Sequence, residues 1–302
     1  MRLERHEELL LLAHLTGRSR AELLLMEETE MPDETRRAFF DACERRRAGE
    51  PLQYILGEWD FYGLTFKTDA RALIPRAETE LLVEKVLAFC KNNFENIGSR
   101  KLRILDMCTG TGCIAITLAK QLLEKKTAEN CTNVEIVAID ISEAALSLAR
   151  ENATLHSVRE HVRFVRSDLA NALLFAHDLN EDGLFVDGVS ESCLPVNDLF
   201  VNEAQFDLIV SNPPYIPIIE LDALQTEVRD YEPRLALDGG ADGMDLYRRL
   251  LPQVYQLLRS GGGLFLEIGP RGVMDLVSAA GFRDVCLWPD YAGLDRMITA
   301  IK

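Results

Sequence analysis

The chain has 302 residues, 47% of them hydrophobic, enough to bury the core of one large domain and a smaller one. Lys and Arg total 33 against 49 Asp and Glu, a net charge of -16, so nucleic-acid phosphates should repel the chain unless it carries a local basic patch. The seven cysteines are scattered without a Cys-x-x-Cys pair and the five histidines show no metal spacing, which argues against a zinc site or a disulfide framework.

The first fifty or so positions read as helices. Ser19-Arg20-Ala21-Glu22 has capping-box spacing, Pro32 suits a first helical turn and Gly49 suits a stop. Leu9 to Leu12 is too short, and too close to Glu7, Glu8 and His14, for a signal peptide or a membrane span. A cytoplasmic protein that does not engage membranes is expected. From Pro51 to Ile74 aromatics alternate with turn residues, and Gly57 and Gly63 punctuate them as in a hairpin linker. A helix from about Glu78 to Lys91 then opens the main domain. The expected organisation is a helical bundle with its linker over 1–74 and an α/β domain over 75–302.

Lys101 to Leu105 reads as a strand. Asp106-Met107-Cys108-Thr109-Gly110-Thr111-Gly112 follows it, and Cys113 to Leu123 reads as a helix. A strand, a glycine-rich turn and a helix make a nucleotide-type site, because glycines let backbone approach a ligand. The spacing is not the dinucleotide pattern. The next strand, Val134 to Ile139, ends at Asp140, whose carboxylate can accept both hydroxyls of a ribose. A third, Val162 to Val165, leads to Ser167-Asp168, near where an adenine would lie.

Residues 170–206 contain no Lys or Arg and seven acidic positions, from Asp178 to Glu203. They read as a solvated insertion, with an acidic flap that steers a basic partner as the alternative.

Phe206 to Ser211 is an apolar run that reads as a buried parallel strand, and it ends at Asn212-Pro213-Pro214-Tyr215. Two prolines cannot continue a strand, so the turn presents polar groups instead of pairing them. The Asn212 side-chain oxygen and the Pro213 carbonyl can accept both hydrogens of a planar –NH2 group, and Tyr215 can stack on it. Gly263 to Ile268, Val285 to Trp288 and Arg296 to Ile301 read as the closing strands. Strands alternating with helices imply a parallel sheet covered on both faces.

Together these segments resemble the protein-(glutamine-N5) methyltransferases that modify peptide chain release factors, the PrmC or HemK family. The resemblance covers nearly the whole chain. Pro51-Leu52-Gln53-Tyr54-Ile55-Leu56-Gly57 and Leu73-Ile74-Pro75-Arg76-Ala77-Glu78-Thr79-Glu80 are its most particular segments. Asp290 to Arg296 also looks like the family's closing segment. The resemblance implies a Rossmann-like class I methyltransferase sheet, S-adenosylmethionine as donor and a release-factor glutamine as acceptor. It implies catalysis at Asn212, Pro213, Pro214 and Tyr215. Cofactor contacts would fall to Asp106, Cys108, Thr109, Gly110, Thr111, Gly112, Asp140, Asp168, Leu169 and Asn212, with no metal.

Four positions depart from the family pattern: Cys108 at a usual glycine, Ala77 at a usual proline, Leu169 where some members carry tryptophan, and Arg271 where glutamine is common. Two other readings remain at this stage. A DNA or RNA amino-methyltransferase shares the Asn-Pro-Pro-Tyr motif but needs a basic surface and usually a base-flipping pocket. A non-catalytic binding module would bind cofactor without turnover.

Overall fold

The computed structural model describes residues 3–25, 31–94, 101–124, 133–174, 205–269 and 272–302. Most of the acidic stretch 170–206 and Arg271 lie outside the described residues.

The chain begins with four helices: α1 (Arg5–Thr16), α2 (Arg20–Leu25), α3 (Asp33–Arg47) and the short α4 (Leu52–Leu56). The Ser19–Glu22 capping box forms: Ser19 N donates to Glu22 Oε2 at 2.8 Å and Glu22 N to Ser19 Oγ at 3.3 Å. The helices enclose a small core of Leu3, Leu11, Ala42, Cys43 and Leu52. Arg46 is buried at its edge, with Nε on Glu7 Oε1 at 2.8 Å and Nη1 on Glu227 Oε2 at 2.7 Å. That second bond ties the helices to the main domain.

A hairpin follows, β1 (Glu58–Phe61) paired antiparallel with β2 (Leu64–Lys67). It is more than the expected linker. Phe61 and Phe66 are fully buried in the main domain's core, edge to face with centroids 6.0 Å apart. Lys67 N also donates to Asn152 Oδ1 at 2.8 Å. The expected linker also contains α4, which the proline and glycine at its two ends mark out.

The main domain contains α5 (Ala77–Phe94), β3 (Lys101–Met107), α6 (Cys113–Glu124), β4 (Asn133–Asp140), α7 (Glu143–Leu155), β5 (Val162–Arg166) and α8 (Asn171–Leu174). It continues through β6 (Phe206–Ser211), α9 (Thr226–Arg229), α10 (Asp245–Leu257), β7 (Leu258–Glu267), α11 (Val273–Ala279), β8 (Arg283–Pro289) and β9 (Asp295–Ile301). Ala77 takes the first position of α5, where a proline would also fit because the first N–H of a helix has no partner.

The sheet runs β5-β4-β3-β6-β7-β9-β8. Its centre is parallel and buried on both faces, which is why all six residues of β6 are buried. The sheet is parallel except at one edge, where β9 inserts between β7 and β8 and runs antiparallel to both. Its apolar pattern suits a strand of either direction, so composition could not reveal this. β3 also runs two residues further than expected, which places Asp106 inside the strand rather than in the turn.

Strand order reverses between β3 and β6, and a ligand crevice opens at such a switch point beyond the carboxyl ends. Met107 and Ser211 are register partners at those ends, and Ser211 Oγ donates to the Met107 carbonyl at 2.7 Å. The glycine turn and Asn212 therefore flank one crevice. Among the described residues no helix is long and apolar enough to cross a membrane.

Candidate active site

A cleft of about 210 Å³ opens at this switch point. Its floor is the turn after β3. Cys108 has φ 60, Gly110 φ 56 and Gly112 φ 80, all in the left-handed region. A Cβ at Gly110 would meet nothing within 4 Å, so the glycine leaves open space where backbone faces the cleft. A Cβ at Gly112 would lie 2.8 Å from Ile116 Cδ1 and 3.1 Å from Ala149 Cβ, so that glycine serves helix packing. The two glycines thus do different work.

Asp106 holds the turn from below. Its Oδ2 accepts from Thr109 Oγ1 at 2.6 Å and from the Ala115 N–H at 3.2 Å. Its Oδ1 is buried without a partner among the described residues. Burial pushes this carboxyl up to about 7, against the pull of its two hydrogen bonds. Burial likewise raises the Cys108 thiol far above its ordinary value, so Cys108 lines the cleft as a neutral group and not as a nucleophile.

Asp140 projects from the end of β4 into the cleft. Its Oδ2 accepts from Gly110 N and its Oδ1 from Ser142 N, both at 2.9 Å, while burial raises its pKa. The Ile141 N–H also supports the carboxylate, and of its roughly four lone-pair sites at least one is left for a ligand. Leu169, with φ 51, is buried in the wall beside Asp168. Asp168 Oδ2 meets Arg249 Nη2 at 2.5 Å across the rim.

The segment before α5 forms the facing wall, and the two family-particular segments meet there. Tyr54 OH donates to the Ala72 carbonyl at 2.9 Å. Buried Glu232 pairs with Arg76 through Oε1 and accepts from Ile74 N through Oε2 at 3.2 Å. These bonds press residues 71–76 against the cleft.

Asn212 lies on the wall between the two sides. Its Nδ2 donates to Thr79 Oγ1 at 3.3 Å, and Thr79 Oγ1 donates to Glu267 Oε2 at 2.6 Å. Tyr215 OH donates to Glu267 Oε1 at 3.3 Å. The backbone of Tyr215 is cradled by glycines. A Cβ at Gly239 would lie 2.7 Å from Tyr215 Cα and one at Gly243 would lie 2.4 Å from its carbonyl oxygen. The Tyr215 ring covers Gly269, where a Cβ would come within 2.2 Å of Cδ2.

The cleft gathers Cys108, Thr109, Gly110, Thr111, Asp140, Asp168, Leu169, Asn212 and Pro214 of the expected site residues. Asp106 and Gly112 lie behind it as supports. Pro213 and Tyr215 are not among the residues that line it, and the Tyr215 hydroxyl and ring face Glu267 and Gly269. Sequence reasoning missed Glu232 and Glu267, and it quoted Arg76 and Thr79 without assigning them roles. A signal for Glu267 was present: an acidic residue closes the apolar run Leu264-Phe265-Leu266, as Asp140 closes its own strand.

A seven-stranded sheet in this order, with a glycine turn after β3 and an acidic end on β4, defines a Rossmann-like class I methyltransferase. A family described as methyltransferase domain matches residues 99–267, and the PrmC N-terminal domain matches residues 3–57. The chain is 39% identical over 295 residues to the release factor glutamine methyltransferase of Chlorobaculum tepidum, covering 97% of this chain and 88% of that one. It is 38% identical over 257 residues to that of Geobacter sulfurreducens, covering 84% and 74%. It is 37% identical over 303 residues to that of Moorella thermoacetica, covering 99% and 91%. The chain belongs to the release factor glutamine methyltransferase family.

Proposed function

We propose that this chain transfers a methyl group from S-adenosylmethionine to the side-chain amide nitrogen of a glutamine in peptide chain release factors. The observation that carries the reading is Asn212. It sits on the cleft wall with Nδ2 turned to Thr79, which leaves Oδ1 without a partner among the described residues. An amide nitrogen is a poor nucleophile because its lone pair is delocalised into the carbonyl. Asn212 Oδ1, accepting an N–H bond from the acceptor amide at the cleft wall, orients that nitrogen and concentrates charge on it.

The residues present fit the donor. Gly110 offers open space beside backbone, Asp140 offers at least one free lone pair for the ribose hydroxyls, and Asp168 and Leu169 supply the wall expected around an adenine. Thr109 to Thr111 face the methionine end. S-adenosylmethionine supplies an electrophilic methyl group there. As the acceptor nitrogen bonds that methyl carbon, the sulfonium S–C bond would break to leave a neutral thioether, and the nitrogen would shed one N–H proton to solvent. Apolar walls from Ile74, Pro75, Ile114 and Ile139 keep water from competing. Positioning and electrostatics supply most of the rate.

The N-terminal helices recognise the release factor. A glutamine side chain alone offers too little surface for selectivity, and these helices contribute no residue to the cleft wall. Such a partner places the enzyme in the cytoplasm. A nucleic-acid amino-methyltransferase is the weaker reading, since a net charge of -16 disfavours phosphate binding. Methyl transfer assayed on purified release factor, with nucleic acid as control, tests the reading. Methyl incorporation into nucleic acid instead would refute it.

A further inference from the structure

Glu267 ends β7 directly beside Asn212, because Leu266 and Ser211 are register partners one residue earlier. Its side chain is 2% exposed. A carboxylate in such a place needs donors, and two are present, one at each end of the Asn-Pro-Pro-Tyr turn. Thr79 reaches Oε2 at 2.6 Å and Tyr215 reaches Oε1 at 3.3 Å. Burial raises the Glu267 carboxyl above its ordinary value, and the Thr79 hydroxyl, the Arg296 guanidinium and the Tyr215 hydroxyl each pull against that shift.

The direction of these bonds matters more than their strength. A threonine hydroxyl has one hydrogen and two lone pairs. Thr79 gives its hydrogen to Glu267, so toward Asn212 it can only accept. Asn212 must therefore present its –NH2 to Thr79, and its carbonyl oxygen is left for the acceptor. With the hydroxyl hydrogen turned the other way, Asn212 would flip and offer a donor to an acceptor amide that itself donates. That arrangement repels the substrate –NH2 group.

We propose that Glu267 and Thr79 form a relay that sets the side-chain orientation of Asn212, making Thr79 and Glu267 positioning residues for amide methylation. The inference rests on the reading that Asn212 receives the acceptor amide. Both residues are remote in sequence from the turn they orient, and Thr79 lies in the segment before the sheet. The shape of the turn alone could not fix which end of the Asn212 amide faces the cleft.

The test compares Thr79→Val, Thr79→Ser and Asn212→Ala in the full chain. The readouts are turnover on purified release factor, S-adenosylmethionine affinity by calorimetry, and Tm. Misplacing a reacting group by ~1 Å can cost about 100-fold. Thr79→Val should lower kcat by roughly ten-fold or more with cofactor affinity near wild type and some loss of Tm, because buried Glu267 loses a donor, and Thr79→Ser should restore kcat. Asn212→Ala should lose turnover with cofactor affinity retained.

If Asn212→Ala loses turnover but Thr79→Val keeps it within a few-fold, the relay alone is wrong. If Asn212→Ala keeps turnover, the proposed function of Asn212 fails and the relay fails with it. If Thr79→Val loses cofactor affinity in step with kcat, Thr79 shapes the cofactor site and the relay is overturned. If Thr79→Ser stays as slow as Thr79→Val, the hydroxyl is not what matters and the relay is again overturned.

Discussion

Asn212 donates to Thr79 at 3.3 Å across 133 positions of sequence, from the end of a central strand to the first turn of α5. The family-particular segment around Arg76 and the Asn-Pro-Pro-Tyr turn are thus one site. Thr79 in turn is held by Glu267, so three separate elements converge on a single amide group. Packing of α5 against β7 therefore has a consequence for chemistry and not only for stability.

Asp140→Ala should weaken cofactor binding. It removes the acceptor proposed for the ribose hydroxyls and also the partner of the Gly110 and Ser142 N–H groups. Leaving such donors unpaired costs about 1–3 kcal/mol, roughly a ten- to hundred-fold rise in Kd. Calorimetric titration with S-adenosylmethionine measures it, and unchanged affinity would remove Asp140 from the site.

The two glycines of the turn should separate binding from stability. Gly110→Ala adds a methyl group into the cleft and should lower cofactor affinity, with only ~1 kcal/mol of backbone strain at its φ of 56. Gly112→Ala drives a Cβ to 2.8 Å from Ile116 and 3.1 Å from Ala149. Overpacking of that kind costs about 1–3 kcal/mol, so Tm should fall further for this variant. Thermal melts and titrations on both variants check the order, and the reverse order would contradict the assignment.

Asp106→Asn should change how stability depends on pH. The folded carboxyl sits at about 7 against an ordinary 3.8, so the folded state keeps a proton that the unfolded chain releases. Its contribution is fully present below the unfolded value and is lost as pH rises through the folded one. Asparagine has nothing to release and keeps a carbonyl for Thr109 and Ala115. The variant should therefore gain Tm relative to wild type as pH rises from about 4 to about 7. A Tm difference that stays constant over that window would show that Asp106 does not titrate there.

Much of this was legible in the sequence for physical reasons. Buried parallel strands are continuous apolar runs, so β3, β4 and β6 stood out, and a ligand site at their ends followed from topology. Glycines and a proline pair mark turns directly. What was missed depends on tertiary contact. Phe61 and Phe66 look like hairpin residues until the main core receives them. Asp106 looks like a turn ligand until two more residues of strand carry it below the cleft. Tyr215 looks like a stacking platform, but its ring covers Gly269 and its hydroxyl meets Glu267. The antiparallel insertion of β9 leaves no local mark at all.

The position of the hairpin changes how the N-terminal helices should be removed. A chain starting at Glu58 keeps Phe61 and Phe66 in the main core and should fold and bind S-adenosylmethionine. It should methylate release factor poorly. A chain starting at Arg76 loses both aromatics, and burying a phenylalanine contributes about 1.5–3 kcal/mol each, so it should be markedly less stable. Circular dichroism melts and turnover on intact release factor measure both effects. Full turnover by the chain starting at Glu58 would contradict the recognition role of the helices.

Mass spectrometry of release factor after incubation with this protein and S-adenosylmethionine tests the central claim most directly. The account predicts one added methyl group, located by fragmentation on a glutamine side-chain amide and absent when that glutamine is replaced. A methyl group on any other residue type, or none on release factor while a nucleic-acid control becomes labelled, would contradict it.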